Sequence, residues 1–211
     1  MKQAVIYKIE GDRPDFRLAE ELEVDEYPWG CPWDDPAVPG RRPTVTAKLL
    51  LSDAGLHVLL ACDEASPRAT FFDGHDPICQ DSCLEFFVNA APDKGPDYIN
   101  FECNANGALW CAFGPDRGHR QFFSDLGLKE PEVTVRKSPA GWAVEYLVSQ
   151  EIFTALYGRP LEGGCAIRAN FYKCGDACEV PHYAVWNHIE APQPDYHRPE
   201  CFGELSIVEV K

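Results

Sequence analysis

Short runs in which apolar and polar residues alternate dominate this chain from Thr44 onward, and they constrain its fold more than any other feature. A period of two, or a short apolar run between turn residues, is typical of a β-strand. The runs predict strands at residues 4–9, 44–52, 56–62, 83–89, 98–104, 108–113, 132–137, 142–149, 165–173 and 204–210. Only residues 149–158 favour a helix, with Ser149 as its N-cap and Gly158 as its stop. About ten strands at this spacing predict an all-β fold, a jelly-roll-like antiparallel β-sandwich with one short helix.

The chain is expected to form a single domain over residues 1–211, because 211 residues suit one large β-sandwich. Residues 10–43 differ from the rest, since they lack sustained alternation and carry five prolines between Pro28 and Pro43. Proline fixes the φ angle and removes a backbone donor. This segment is therefore predicted to be an irregular N-terminal wrap over the surface of the domain.

The charge balance argues against two classes of partner. Lysine and arginine total 19 against 34 aspartates and glutamates, a formal net charge of −15, and the basic residues form no cluster. Binding to nucleic acid and to anionic membranes both need such a cluster, so neither is expected. The apolar run near the N-terminus, Ala4 to Tyr7, is too short for a signal peptide, and no run approaches the roughly 18 apolar residues of a membrane span. We expect a cytoplasmic protein whose ten cysteines are mostly reduced.

Alternation also predicts which side chains three strands present on the face away from the core. The outward residues would be Glu85, Phe87 and Asn89, then Tyr98, Asn100, Glu102 and Asn104, and then Arg168, Asn170 and Tyr172. Carboxylate, amide, guanidinium and phenol groups are those that hydrogen-bond sugar hydroxyls. A polar outward face is also the default of any antiparallel sheet, so alternation alone leaves that interpretation open.

Sugar recognition needs an accessible aromatic ring as well, and the five tryptophans fall into two groups. Trp110 and Trp142 lie on strand patterns, which predicts that they are packing residues. Trp29, Trp33 and Trp186 lie in proline-rich or polar segments and are candidates for stacking. Trp29 and Trp33 are equally well explained as pins that hold the N-terminal wrap onto the domain.

Four motifs, in their order along the chain, resemble one known group of domains. They are DSCLEFF at residues 81–87, YINFECNANG at 98–107, WAVE at 142–145 and YHRPECFG at 196–203. Together they are similar to the carbohydrate-binding family 9-like domains, within the wider sugar- and haem-binding β-sandwich superfamily called DOMON. The resemblance covers about residues 44–205, most of the chain.

The resemblance implies non-catalytic binding of a mono- or oligosaccharide, with two tryptophans that sandwich the sugar at its reducing end. It implies that Trp186 is a stacking residue, beside Asn187, and that Glu85 is the sugar-binding glutamate. The other expected ligand-binding residues, from the outward faces and the preceding loop, are Asn100, Glu102, Arg168, Asn170, Tyr172 and His75. No tryptophan stands just before Asp81, so Phe71, Phe72, His75 or Trp33 would take the place of the first stacking residue.

Further expectations concern cofactors and partners. Family members often carry structural calcium, for which Asp73 and Asp76 offer hard oxygen ligands. Haem is not expected, because the only methionine is Met1, and no other cofactor is implied. The resemblance also implies glycoside hydrolases of the same catabolic pathway as partners.

Two alternatives remain open at this stage. A glycoside hydrolase would use a carboxylate pair such as Asp81 with Glu85, although no hydrolase motif is present. A metal- or redox-linked protein would use Cys174, Cys178 and His182, with three residues between each and the next, although no second tight pair of ligands completes a zinc site.

Overall fold

Thirteen strands and one α-helix make up the regular structure of residues 1–209, the part of the chain that the computed structural model describes. The strands are β1 (Gln3–Lys8), β2 (Leu22–Glu23), β3 (Val45–Ser52), β4 (Gly55–Cys62), β5 (Cys83–Asn89), β6 (Tyr98–Asn104), β7 (Leu109–Gly114), β8 (Gln121–Phe122), β9 (Thr134–Ser138), β10 (Gly141–Ser149), β11 (Ala166–Cys174), β12 (Tyr183–Val185) and β13 (Gly203–Glu209). Short 3-10 helices occupy Pro32–Asp34, Ile78–Gln80 and Pro199–Cys201. Val210, the last residue of the predicted strand 204–210, and Lys211 lie outside the described residues.

The prediction of a mainly β fold with one short helix is confirmed. Each of the ten predicted strands has a counterpart whose ends lie within two residues of the prediction, while β2, β8 and β12 were too short to leave a pattern. The helix α1 spans Gln150–Tyr157. Ser149 Oγ caps it by accepting from Ile152 N at 3.4 Å, and Gly158 ends it with a left-handed φ of 71°.

The sheet topology corrects the prediction of an antiparallel sandwich. All thirteen strands belong to one sheet, whose main path runs β8-β7-β6-β5-β11-β13-β1-β3-β4-β10-β9. β1 lies between β13 and β3 and is parallel to both, whereas the other pairs are antiparallel. The sheet is therefore mixed. Alternation reveals the face of a residue but carries no information about which strand is its neighbour, so the parallel pairs were not predictable.

The sheet curls so that its two arms share one apolar core. Phe101 on β6 and Tyr146 on β10 stand far apart in the strand order, yet their ring centroids are only 5.5 Å apart. Phe86 stacks between Phe101 and Phe171, at 6.1 and 5.1 Å, and these rings form the centre of what we call the main core. Burial of large aromatic rings supplies much of the stability of such a domain.

The opposite face of β5, β6 and β11 is also buried, contrary to the expectation that it faces solvent. Every residue of β5 and of β6 is buried. A second apolar group, called the outer cluster here, packs on this face and consists of Ile78, Cys83, Phe87, Tyr98, Ala108, Tyr172, Cys174, Val185, Ile189, Tyr196 and Phe202. Several of its members come from irregular segments that lie over the strands. The alternation of residues within a strand gives no information about such covering segments.

The N-terminal segment 10–43 holds only β2 and one 3-10 helix as regular structure. Its two tryptophans are both pinned to the domain. Trp29 Nε1 donates to Ala191 O at 2.9 Å, and the Trp33 ring lies 5.1 Å from the ring of His182.

No helix among residues 1–209 is both long and apolar enough to cross a membrane.

A buried carboxylate fixes the loop that precedes β5. Asp81 is fully buried and accepts from Thr70 N at 2.7 Å, Thr70 Oγ1 at 2.8 Å, Phe71 N at 3.0 Å and Asn104 Nδ2 at 2.9 Å. Burial by itself raises the pKa of Asp81, but these donors stabilise the carboxylate and hold its pKa below the usual value. Asp81 therefore serves the fold, and it is not free to act with Glu85 as a hydrolytic pair.

Replacement of Asp81 by alanine should destabilise the domain strongly. The change leaves the amides of Thr70 and Phe71 without an acceptor, and each unsatisfied buried group costs about 1–3 kcal/mol. We expect the free energy of unfolding in urea to fall by about 3 kcal/mol. Asp53→Ala is the matched control, since this carboxylate is 90% exposed and should cost less than about 0.5 kcal/mol. Equal losses in the two variants would contradict this interpretation of Asp81.

Candidate functional site

A pocket of about 310 Å³ opens on the outer-cluster side of the sheet. Four of its lining residues come from neighbouring strands, namely Glu85, Glu102, Trp110 and Cys174. Tyr183 comes from the short strand β12, and loops supply most of the rest, including Arg117, Arg120, Asp176, Tyr196 and His197. Its volume is at the lower end of the roughly 300–1,000 Å³ of typical ligand sites. We call it the Glu85 pocket.

The register of the sheet places four side chains in one row, and three of them, Glu85, Glu102 and Trp110, line the pocket. Tyr172 on β11 stands opposite Glu85 on β5, Glu85 opposite Glu102 on β6, and Glu102 opposite Trp110 on β7. Residues directly opposite on antiparallel strands have Cβ atoms about 4.5–5.5 Å apart and share a face. The row therefore sets two carboxylates between two aromatic rings.

Both carboxylates are buried, with 2% of Glu85 and 8% of Glu102 exposed. Glu102 Oε1 accepts from Asn100 Nδ2 at 2.8 Å and lies 3.6 Å from Arg120 Nη1. Glu85 Oε1 accepts from Cys174 Sγ at 3.0 Å. Burial, and then the neighbouring Glu102, raise the pKa of Glu85 well above its usual value. Burial also raises the pKa of Glu102, although Arg120 and Arg117 oppose this rise.

Two arginines bring positive charge to the pocket. The guanidinium of Arg120 lies 5.6 Å from the ring centroid of Trp110, a cation–π distance. Its buried Nη1 has no hydrogen-bond partner within residues 1–209. Arg117 Nη2 pairs with Asp195 Oδ1 at 2.9 Å and is largely exposed. The unused donor of Arg120 is available to an acceptor on a ligand.

Aromatic side chains form the walls. Trp110 and Tyr183 are only half-buried, so part of each ring remains accessible. Tyr196 is buried and stacks on Tyr172, with centroids 4.2 Å apart and an interplanar angle of 9°. His197 Nδ1 and Tyr98 Oη are hydrogen-bonded at 2.7 Å. Burial, with Arg120 and Arg117 nearby, lowers the pKa of His197 to about 2, so this ring is neutral.

The structure brings some of the sequence-predicted residues to this pocket. Glu85 and Glu102 line it, and Tyr172 stands next to Glu85 in the same row. Asn100 lies behind Glu102 and donates to it. His75 is exposed and lies one ring away, because it packs on Phe122 at 4.3 Å and Phe122 packs on Trp110 at 4.5 Å.

Trp186 is the main correction to the predicted site. Only 3% of it is exposed, and it packs edge-on against Phe171 at 5.7 Å within the main core. The cause is register: Val185 stands opposite Tyr172, and Trp186 N donates to Phe171 O at 2.9 Å, so Trp186 shares the inward face of Phe171. A ring in that position has no face to offer a sugar, so the stacking role assigned to it from the sequence is wrong.

Three other predicted site residues tie chain segments together away from the pocket. Asn170 Nδ2 donates to Asn187 O at 2.9 Å, and Asn170 Oδ1 accepts from Asn187 N at 2.8 Å. Asn187 Oδ1 accepts from Lys2 N at 2.6 Å, and its Nδ2 donates to Cys201 O at 2.7 Å. Arg168 is half-buried, with Nη2 lying 3.1 Å from Met1 Sδ. None of the three lines the Glu85 pocket.

The predicted metal set of Cys174, Cys178 and His182 is divided between two places. Lys173 Nζ donates to His182 Nε2 at 2.9 Å, and His182 Nδ1 donates to Val180 O at 2.7 Å, so both ring nitrogens are already used. Cys178 Sγ lies 3.5 Å from Ser82 Oγ and lines a separate cavity of about 570 Å³. Cys174 faces the Glu85 pocket instead. This set is therefore not a metal site.

The proposed calcium ligands lie in the loop before the 3-10 helix at Ile78–Gln80. Asp73 Oδ1 accepts from His75 N at 2.9 Å, and Asp76 Oδ2 accepts weakly from Asp73 N at 3.4 Å. Neither aspartate belongs to a group of three potential ligands within the described residues. Calcium binding stays a prediction from the family resemblance.

Sequence reasoning missed most of the pocket. Trp110 was assigned to packing, although its position opposite Glu102 places it on the same polar face. Arg117 and Arg120 lie in the turn after β7, where GPDRGHR is the only sequence signal. The loop residues that close the pocket, such as Asp176 and His197, are brought in by long-range packing that local pattern does not encode.

Comparisons with known proteins agree with the fold. A family model described as carbohydrate-binding family 9 matches residues 31–207. A solved candidate carbohydrate-binding protein of Bacteroides uniformis ATCC 8492 is 24% identical, with a TM-score of 0.77 over 98% of this chain and 99% of that one. A carbohydrate-binding module of family 9 from Caldicellulosiruptor kristjanssonii, in complex with cellotriose, is 14% identical, with a TM-score of 0.67 over 100% and 95%. The same kind of module from that organism, in complex with glucose, is 14% identical, with a TM-score of 0.68 over 100% of this chain and 97% of that one. No curated protein matches the chain.

His182 should make the domain less stable in mild acid. Burial, and then Lys173, lower its pKa from 6.5 to about 4, so in this range the unfolded chain binds a proton that the folded protein does not. Neutral His182 makes its full contribution to the free energy of unfolding above pH 6.5. This contribution declines toward pH 4, by up to about 1.4 kcal/mol per pH unit. The test is His182→Gln, whose amide oxygen still accepts from Lys173. The wild-type free energy of unfolding in urea should fall between pH 7 and pH 5, and in His182→Gln this fall should be about 2 kcal/mol smaller.

His119→Gln is the control, since this ring is 78% exposed. In this control, the free energy of unfolding should fall between pH 7 and pH 5 by as much as it does in the wild-type protein. An unchanged loss in His182→Gln would show that His182 is not the titrating group.

Proposed function

Since the chain belongs to carbohydrate-binding family 9, we propose that it binds a mono- or oligosaccharide non-catalytically in the Glu85 pocket. The row formed by Tyr172, Glu85, Glu102 and Trp110 is the observation that carries this proposal. Carboxylates accept from two neighbouring hydroxyls of a pyranose, and an aromatic ring packs against its C–H face. Both elements of sugar recognition therefore lie side by side in one pocket.

The polar groups around the row extend the match to a sugar. Hydroxyl groups both donate and accept, so a sugar suits a pocket that offers carboxylate acceptors and a free donor. Arg120 Nη1 is that donor, and it lies beside Glu102 and over Trp110. In this proposal, Trp110 takes the stacking role that the sequence assigned to Trp186, and Tyr183 is the second accessible ring.

The pocket volume favours recognition of one or two sugar rings at the end of a chain over a groove that runs along a polymer. A volume of about 310 Å³ is small for a ligand site. The solved family 9 module from Caldicellulosiruptor kristjanssonii holds glucose or cellotriose. Glucose and cellotriose are accordingly the first ligands to test, and glycoside hydrolases that release such sugars are the expected functional partners.

Hydrolysis by the chain itself is the remaining alternative, and its carboxylate pair would be Glu85 with Glu102 rather than Asp81. Their direct opposition on β5 and β6 sets their Cβ atoms about 4.5–5.5 Å apart, which is compatible with the roughly 5 Å between the carboxyl groups of retaining glycosidases. Both groups stand on the same sheet at the base of one pocket, however, whereas such pairs act from opposite sides of the bond that is cleaved. Incubation with cellotriose should therefore release no glucose, and release abolished by Glu102→Gln would establish the hydrolase instead.

Two substitutions in the row should weaken sugar binding. Glu102→Gln replaces a charged acceptor, and hydrogen bonds to charged groups contribute about 1.5–3 kcal/mol, so the Kd for glucose or cellotriose should rise about 10- to 100-fold. Trp110→Ala removes the stacking ring and should raise the Kd at least about tenfold. Isothermal titration calorimetry with the wild-type protein and each variant provides the measurement.

Trp186→Phe is the matched control. It keeps an aromatic ring in the main core, so it should lower thermal stability while changing the Kd by less than about twofold. The opposite pattern, in which Trp186→Phe loses binding while Glu102→Gln and Trp110→Ala keep it, would reject the Glu85 pocket as the sugar site.

A further inference from the structure

Two thiols and a carboxylate converge where the Glu85 pocket meets the sheet. One oxygen of Glu85 and the sulfur atoms of Cys83 and Cys174 all lie within 4.8 Å of one another, and all three residues are buried. Cys174 stands directly opposite Cys83 on the neighbouring strand, and Glu85 follows Cys83 two residues along β5. The antiparallel register thus places the three side chains on one face.

Among the described side chains around it, Glu85 has a thiol donor but no positively charged partner. The Cys174 thiol donates to Glu85 Oε1 at 3.0 Å, so a proton occupies the space between them. Glu85 forms no ion pair within residues 1–209. The two arginines of the pocket are directed to other carboxylates, since Arg117 pairs with Asp195 and Arg120 lies 3.6 Å from Glu102. A buried carboxylate without a cationic partner is costly, and a bound metal ion would remove that cost.

The remaining cysteines of the sheet have different surroundings. Cys62, Cys103 and Cys111 are buried in the main core among apolar side chains, and none of them belongs to a group of potential ligands in the described part of the chain. Cys174 lines the pocket. Glu85 also lines the pocket, so an ion that enters it meets two of the three ligand residues without unfolding of the domain.

We propose that Cys83, Glu85 and Cys174 bind a zinc ion at the base of the Glu85 pocket. Two thiolates and one carboxylate are ligands that Zn²⁺ accepts, and three protein ligands with an open fourth position characterise zinc sites that bind a further molecule. On binding, two Zn–S bonds and one Zn–O bond form, and the two thiol protons leave to solvent. Arg117 and Arg120 stand near the resulting single negative charge.

The geometry needs only small side-chain movements. A tetrahedral zinc ion with Zn–S bonds of about 2.3 Å separates its sulfur ligands by about 3.8 Å. The three ligand atoms are already within 4.8 Å of one another, and Cys174 Sγ and Glu85 Oε1 are at 3.0 Å. The fourth position faces the pocket, where a water molecule or a sugar hydroxyl completes the coordination. Coordination by a sugar hydroxyl rests on the proposed function, whereas the three protein ligands do not.

Cobalt titration tests the site, since Co²⁺ bound by thiolates absorbs through sulfur-to-metal charge transfer. The protein should be untagged, fully reduced and stripped of metal. The wild-type protein should gain this absorption up to one equivalent of Co²⁺ and lose it when one equivalent of Zn²⁺ is added. Folded wild-type protein that shows no charge-transfer band and retains no zinc after dialysis would overturn the proposal.

Variants locate the ion. Cys83→Ser and Cys174→Ser should each weaken zinc binding more than about 100-fold, because loss of a ligand exceeds the 10- to 100-fold effect of changes around the ligands. Cys111→Ser, on β7 and two strands away from β5, should bind zinc like the wild type. Glu85→Gln gives a third measurement, since it retains both cysteines and the shape of the side chain. Wild-type zinc affinity in all three ligand variants, with circular dichroism confirming their fold, would also reject the site.

Sugar titrations with and without zinc separate this inference from the proposed function. Stoichiometric zinc binding without binding of glucose or cellotriose would support the metal site and reject the sugar proposal. Sugar binding in the presence of a chelator, by a protein that takes up no zinc, would give the reverse result.

Discussion

Burial of the central strands on both faces is the constraint on which the rest of the structure depends. β5 and β6 have no exposed residue, and β11 is buried from Ala169 to Cys174. One face of these strands packs into the main core, and irregular segments cover the other. Every polar side chain on the covered face must then find a partner, because an unpaired buried polar group costs about 1–3 kcal/mol. Asn104 and Asn170 meet this demand fully by bonding loop backbone, and they thereby hold the covering loops in place.

Polar groups that the fold does not satisfy are concentrated at the Glu85 pocket. Glu85 has only a thiol donor, Arg120 Nη1 has no partner within the described residues, and the pKa values of both glutamates are raised by burial. Two adjacent residues of β11 show the contrast. Lys173 is fully buried but bonds Cys174 O and His182, so it serves the structure, whereas Cys174 points to the pocket with its carboxylate neighbour. Groups with shifted pKa values in a cleft are typical of functional sites.

The sequence allowed the strands and two pocket residues to be predicted, for a definite physical reason. A strand repeats every two residues, so its limits and the common face of Glu85 and Glu102 can be derived from local pattern. Trp110 and Trp186 show where such derivation stops. Trp110 lies on a strand and Trp186 directly follows one. Each points to the same face as the residue opposite it on the neighbouring strand, which is Glu102 for Trp110 and Phe171 for Trp186. Register between strands is a long-range property. Likewise, residues 10–43 and 189–202 cover the outer face through contacts distant in sequence, so solvent exposure of that face was predicted wrongly.

The position of the row also explains why a pocket can form in a sheet that is buried on both sides. A fully covered sheet has no room for a ligand, and an exposed one does not keep water away from its polar groups. At the pocket, the covering segments leave a space that is lined by residues 77–79, residues 194–197 and the turn after β7. The strands beneath are fixed by the main core, so the backbones that carry Glu85 and Glu102 stay directly opposite each other. The mutual repulsion and the burial of the two carboxylates are thus built into the rigid sheet, and a ligand that donates hydrogen bonds or supplies positive charge relieves both at once.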